Sequence, residues 1–151
     1  MEIKTNCYAA VDIGASSGRV VIGEVTPRGT IELTEIHRFD NIQKRSGGHD
    51  CWDVDMLFRE TVAGLAKCKE AGYAPKTVGI DTWAVDFVLL DAEDNMLGDA
   101  VAYRDERTSG MYAVADAIVS PDECIAARVF SASRSIPSIS YWRSSVSTRT
   151  D

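Results

Sequence analysis

Apolar and polar positions alternate along the opening of the chain and recur at helical spacing beyond Asp53, which predicts strands first and a helix after them. Tyr8-Ala9-Ala10-Val11 runs into Asp12-Ile13-Gly14. After Ala15-Ser16-Ser17-Gly18 a β-branched run resumes at Arg19-Val20-Val21-Ile22, the pattern of strand, tight turn and strand. Pro27-Arg28-Gly29 marks a turn, and Thr30 to Phe39 alternates through Ile31 and Leu33 as a third strand with one face buried. From Gln43 to His49 the chain is polar and contains Gly47-Gly48, a loop leading to Trp52-Asp53. Leu57, Phe58, Thr61, Val62, Leu65 and Ala66 then form one helical stripe. Asp55 is placed to cap the first turn, Lys67 and Lys69 suit the negative end, and Gly72 is the stop.

Further along, Thr77-Val78-Gly79-Ile80 is short and apolar between Pro75 and Asp81, as a buried strand would be, and Val85 to Leu90 predicts a second, joined through Asp81-Thr82-Trp83-Ala84. Asp91 to Gly98 is a polar turn. Met111, Val114, Ala115 and Ile118 mark another helix, and Ser120-Pro121-Asp122-Glu123 is a capping box that opens one more. No internal repeat is visible. The sum is a mixed α/β sheet whose first three strands are antiparallel.

At 151 residues the chain has the length of one domain, and its net charge of −7 with pI near 4.8 argues against nucleic acid and anionic membranes as partners. Twenty-two of the 23 acidic residues precede Val129, whereas 129–151 carries Arg134, Arg143 and Arg149 against Asp151 alone, together with eight serines. That shift sets a boundary near Arg128: residues 1–128 read as the domain and 129–151 as a Ser/Arg-rich tail expected to be disordered. Cys7, Cys51, Cys68 and Cys124 are too widely spaced to share a zinc ion and read as reduced thiols. With no leader-like or membrane-length apolar run, the expected compartment is the cytoplasm.

Three segments could carry chemistry. In Asp12-Ile13-Gly14-Ala15-Ser16-Ser17-Gly18-Arg19, two glycines flank small residues so that main-chain amides can approach an anion, with two hydroxyls and a guanidinium nearby. Taken alone, this is more often a plain hairpin turn. It is not a P-loop, since no Gly-Lys-Ser/Thr follows, and the strand after Gly18 excludes a dinucleotide fingerprint. In Gly79 to Phe87, Asp81 and Asp86 stand beside Trp83, a combination that suits a sugar's hydroxyls and C–H face, though a core indole with turn-capping aspartates is the commoner explanation. Tyr103-Arg104-Asp105-Glu106-Arg107-Thr108 is a charge cluster before a helix, either a solvated helix start or a source of hydroxyl contacts from Arg104 or Asp105. His37 and His49 read as structural or exposed.

Taken together, Ala10 to Arg19, Ile36-His37-Arg38-Phe39, Trp52-Asp53-Val54-Asp55, Gly79 to Asp91 and Val101 to Thr108 resemble, in order and spacing, the rhamnulokinase branch of the FGGY carbohydrate kinases. The resemblance runs from about Asn6 to about Ala127. It implies a ribonuclease H-like (actin-like ATPase) domain, here incomplete, and transfer of the ATP γ-phosphoryl to the C1 hydroxyl of L-rhamnulose in rhamnose catabolism. It further implies that Ala15, Ser16, Ser17, Gly18 and Arg19 bind ATP, that Asp12 helps place Mg2+, and that Trp83, Ala84, Asp86, Arg104 and Asp105 border the sugar. Ala84 stands where the family has glycine. The family's catalytic base falls beyond Asp151, so this chain is expected to be inactive alone, and the tail from Val129 looks like a frameshifted or prematurely ended reading of a longer gene. The alternative is a non-catalytic nucleotide-binding or partner-pairing module of the same fold.

Overall fold

The computed structural model describes residues 3–120 together with Asp122 and Glu123. The boundary near Arg128, the tail and the body of the helix after Pro121 lie outside these residues. Strands β1 (Cys7–Ile13), β2 (Ser17–Val25) and β3 (Ile31–Asp40) form an antiparallel meander, as the alternation predicts. A short hairpin of β4 (Lys44–Ser46) and β5 (His49–Trp52) follows, then helix α1 (Val54–Glu70), β6 (Val78–Thr82), β7 (Ala100–Val101) and helix α2 (Met111–Asp116). One sheet has the order β3-β2-β1-β6, with β6 parallel to β1; the other has the order β4-β5-β7.

The chain divides into two compact units, one of residues up to Gln43 with Trp52–Ala84, the other of Lys44–Cys51 with the residues from Val85 onward. In the first, Cys7, Ala9 and Val11 of β1 and Val20 and Ile22 of β2 form a buried core with Cys68 of α1. The helix lies so close to the sheet that a Cβ on Gly64 would collide with Val20. Its cap is Asp53, not Asp55: the Asp53 carboxylate accepts from the Met56 amide at 3.0 Å, while Asp55 sits inside the first turn where it meets the positive helix end. The helix ends at Ala71, with Gly72 at φ +83° as expected of a left-handed terminator.

Five expectations need correction. Gln43 to His49 is not a plain loop: Gly47 and Gly48, at φ +58° and +85°, close the β4–β5 hairpin, a conformation open to glycine. The β3 alternation does not bury Ile31 and Leu33, which are 66% and 74% exposed. A bulge between Val20 and Val21 leaves Ile36 as an extra residue in β3. It therefore puts Ile31 and Leu33 opposite Val25 and Gly23, on the other face from His37 and Phe39. β6 forms but is exposed throughout, because it is an edge strand paired with β1 alone. Val85 to Leu90 is not a strand. Val85 has φ +77°, which interrupts extended backbone, and the segment joins at Leu90–Met96 as one bridge of a turn that the Asp91 carboxylate organises by accepting from the Glu93 and Asn95 amides. On α1, Leu57 and Thr61 are buried whereas Phe58 and Val62 face outward.

Two further readings hold. Ser120 and Glu123 make the reciprocal capping box, with the Glu123 amide donating to Ser120 Oγ and the Ser120 amide donating to Glu123 Oε2. His37 is structural: Lys67 Nζ donates to its Nδ1 at 2.8 Å, so Nε2 carries the hydrogen donated to Glu60 at 2.6 Å. Cys7, Cys51 and Cys68 are free thiols, and burial pushes those of Cys51 and Cys68 up. No helix among the described residues is long and apolar enough to cross a membrane.

Candidate functional site

The β1–β2 ladder runs without a break from Cys7↔Glu24 to Ile13↔Gly18, which leaves Gly14, Ala15, Ser16 and Ser17 to turn the chain. The Gly14 amide donates to Ser17 O at 2.9 Å across that turn. Ser16 is exposed, Ala15 and Ser17 are half-buried, and Gly18 is buried. Gly18 is needed for packing: a Cβ there would overlap the Phe39 ring, which lies over it from β3. A residue that the sequence did not single out holds the turn from behind. Asn41, 5% exposed, donates from Nδ2 to Gly14 O at 2.9 Å and from its main-chain amide to Ser16 O at 3.0 Å. Its only sequence signal was a polar residue just past a strand, which is equally what an ordinary strand end shows.

Beside the turn, Arg19 donates to Asp12 Oδ2 from both Nε and Nη2 at 2.9 Å. The two are register partners on adjacent strands, and each side chain is 46% exposed. Arg38, register partner of Arg19, is held by Glu35 in a two-point contact of 2.6 and 3.0 Å. That contact keeps Glu35 below the usual carboxylate range. One face of the sheet near the turn thus carries two guanidiniums flanked by two carboxylates. Asp81, at the same level of the parallel β6, adds a third carboxylate next to Asp12. The ends of these parallel strands, where the β1–β2 turn also lies, are where open α/β sheets take ligands.

For magnesium the fit is adequate. Both Arg19 contacts fall on Oδ2 of a half-exposed Asp12, and magnesium in phosphate sites takes one or two carboxylates, with phosphates and water completing the shell. No cluster of three or more metal-ligating side chains occurs among the described residues.

The residues assigned to the sugar do not fall in one place in the chain's organisation. Trp83 and Ala84 belong to the first unit, where the Trp83 ring lies 4.3 Å from that of the buried Trp52; Ala84 is exposed. Asp86, Arg104 and Asp105 belong to the second. Asp86 is half-buried with Oδ1 shielded from solvent. Arg104 is exposed, its guanidinium 5.2 Å from the Tyr103 ring. Asp105, 6% exposed, is occupied structurally: it accepts from the Asp50 amide at 2.9 Å, from His49 Nδ1 at 3.0 Å and from the Arg107 amide at 2.9 Å. Burial works to raise its pKa, but those donors prevail and hold it below the ordinary carboxylate value.

Comparison with known proteins gives this geometry a context. A rhamnulokinase of Halalkalibacterium halodurans is 59% identical over 106 residues, and one of Bacillus subtilis is 50% identical over 101. These matches cover 70% and 67% of this chain. Over those residues the chain is similar to the rhamnulokinases. It spans 22% of the Halalkalibacterium rhamnulokinase and 21% of the Bacillus one. No family model matches the chain. Among solved structures, a ligand-bound xylulose kinase from Lactobacillus acidophilus overlays with a TM-score of 0.61 at 10% identity, covering 78% of this chain and 23% of that one. A xylulose kinase from Rhodospirillum rubrum gives 0.59 at 19% identity over 77% of this chain and 24% of its own. The fold is therefore that of the sugar kinases, of the actin-like ATPase class and incomplete, and a non-catalytic module is the less favoured reading.

Proposed function

We propose that this chain supplies the phosphate-binding hairpin of a rhamnulokinase, an enzyme that moves the γ-phosphoryl group of ATP to the C1 hydroxyl of L-rhamnulose. The observation that carries the proposal is the Gly14–Gly18 turn: a hairpin bend of small residues at the open end of β1 and β2, with Asp12 and Arg19 beside it. In this reading Ala15, Ser16, Ser17 and Gly18 receive the terminal phosphates through main-chain amides and hydroxyls. Arg19 exchanges its Asp12 contact for phosphate oxygen. Such an exchange is cheap, because an exposed ion pair of this kind stabilises by only about 0–1 kcal/mol.

Asp12 would help hold a magnesium ion, which would supply charge neutralisation on the terminal phosphates. Trp83, Ala84, Asp86 and Arg104 are assigned to the ketose, with Asp105 acting from behind through the His49–Asp50 strand it secures. Phosphoryl transfer itself belongs to the whole kinase, in a soluble cytoplasmic setting, since no residue of this chain is assigned as the base. The test is calorimetric titration of the purified chain with magnesium ATP, alongside a kinase assay with L-rhamnulose. Saturable nucleotide binding without turnover is expected. Turnover by the chain alone would refute the assignment of the base elsewhere, and failure to bind ATP would refute the hairpin's role.

A further inference from the structure

We infer that Asn41 sets the direction in which the Gly14–Gly18 turn presents its amides, and so is a positioning residue for the terminal phosphates of a nucleoside triphosphate. This rests on the phosphate reading of the hairpin. Asn41 stands one residue past β3, outside the loop, and takes hold of two loop carbonyls: Gly14 O by its side-chain amide and Ser16 O by its main-chain amide. In a trans peptide the carbonyl of one residue and the N–H of the next point in opposite directions, and the described chain has no cis peptide. Drawing the carbonyls of Gly14 and Ser16 toward Asn41 therefore turns the N–H groups of Ala15 and Ser17 away from it. A third loop carbonyl, that of Ser17, is taken by the Gly14 amide. Carbonyl oxygens facing an anion would repel it, whereas outward amides form a cradle.

The chemistry at position 41 is restricted. Asn41 Oδ1 is buried without a hydrogen-bond partner, an arrangement that costs stability. Reversing the amide would set oxygen against Gly14 O, so Nδ2 must be the atom that faces it. A donor is required there, and a carboxylate of the same shape would repel the carbonyl it replaces a donor to.

The decisive variant is Asn41→Asp, compared with the wild-type chain by binding of magnesium tripolyphosphate and by amide hydrogen exchange of residues 14–18. At neutral pH the variant is expected to bind at least tenfold more weakly and to exchange faster in the loop, with exchange in α1 unchanged. Lowering the pH until the introduced carboxyl is protonated restores a donor to Gly14 O, so the loop exchange ratio of variant to wild type should fall back toward one. A general loss of packing would show no such recovery. Should the variant not fold, the wild-type chain still decides: the amide protons of Ala15 and Ser17 are expected to shift most on titration with magnesium tripolyphosphate. Wild-type binding with an unaltered variant, or with shifts centred elsewhere, overturns the inference alone. Absence of saturable binding by the wild type overturns the phosphate reading and the inference together.

Discussion

The Gly14–Gly18 hairpin and the stretch from Val85 to Thr108 are held in different ways. The hairpin hangs on a seven-pair ladder, is backed by Phe39 and Asn41, and faces solvent at its tip. The later stretch is held by single carboxylates: Asp91 ties its own turn, and Asp105 ties the backbone of Asp50 and Arg107. A phosphate site made of main-chain amides needs its backbone fixed by a ladder. The residues proposed for the sugar would act through side chains, a role that tolerates the irregular backbone on which Asp86 and Arg104 stand.

Substitutions can break that contrast. The largest expected effect is Gly18→Val, which drives a side chain into the Phe39 ring and should cost about 3 kcal/mol in urea unfolding. A shift of less than about 1 kcal/mol would mean that the hairpin is not tightly backed. Next is Asp105→Ala, which strips an acceptor from two buried-side amides and His49; about 2 kcal/mol should be lost, with faster exchange in β4–β5 and none in the 14–18 loop. The same carboxyl gives a pH signature. Because its folded pKa lies below its unfolded value of about 3.9, its contribution is complete above that value and disappears as pH falls from about 4 through the folded pKa. In the Asp105→Ala variant, that acid-side component of the unfolding profile should be absent.

Smaller effects sharpen the comparison. Val85→Gly relieves a β-branched residue at φ +77° and should stabilise by up to about 1 kcal/mol, the opposite sign to Gly18→Val; a clear loss would show that the Val85 side chain is doing packing that outweighs its strain. Last, Asp12→Asn breaks a half-exposed pair and should shift stability by no more than about 0.5 kcal/mol. It should nonetheless weaken magnesium-dependent nucleotide binding more than magnesium-free binding, and equal weakening of both would remove Asp12 from the metal's surroundings.

What could be read in advance follows the same division. Periodic elements were legible: β1, β2, β3 and α1 each declare themselves by spacing, and Ser120 with Glu123 by a local hydrogen-bond exchange that depends on nothing distant. Elements set by one residue were not. Gly47-Gly48 in a polar run reads as a loop, and the hairpin it closes is visible only in the pairing of Lys44, Arg45 and Ser46 with Cys51, Asp50 and His49. Val85-Asp86-Phe87 has strand composition, but a positive φ at its first residue is invisible in an apolar run. Asp53 and Asp55 are both plausible caps two positions apart, and only the carboxylate's reach to Met56 separates them. At the site, the glycines and Arg19 carry a recognisable composition, while Asn41 acts across 27 positions and has no local pattern to betray it.

The surplus residue Ile36 has an effect on permissible chain length. Glu35 and Arg38, three apart, share a face only because of it, and they clasp each other there; Ile31 and Leu33 likewise escape the side on which His37 is bonded to the helix and Phe39 covers Gly18. Excising that one position would set the two halves of the strand in conflict, each able to keep its own orientation only by reversing the other's. Gaps and insertions should therefore be rejected at Ile36 yet accepted a few residues upstream, at the Pro27-Arg28-Gly29 bend, where no such phase has to be kept.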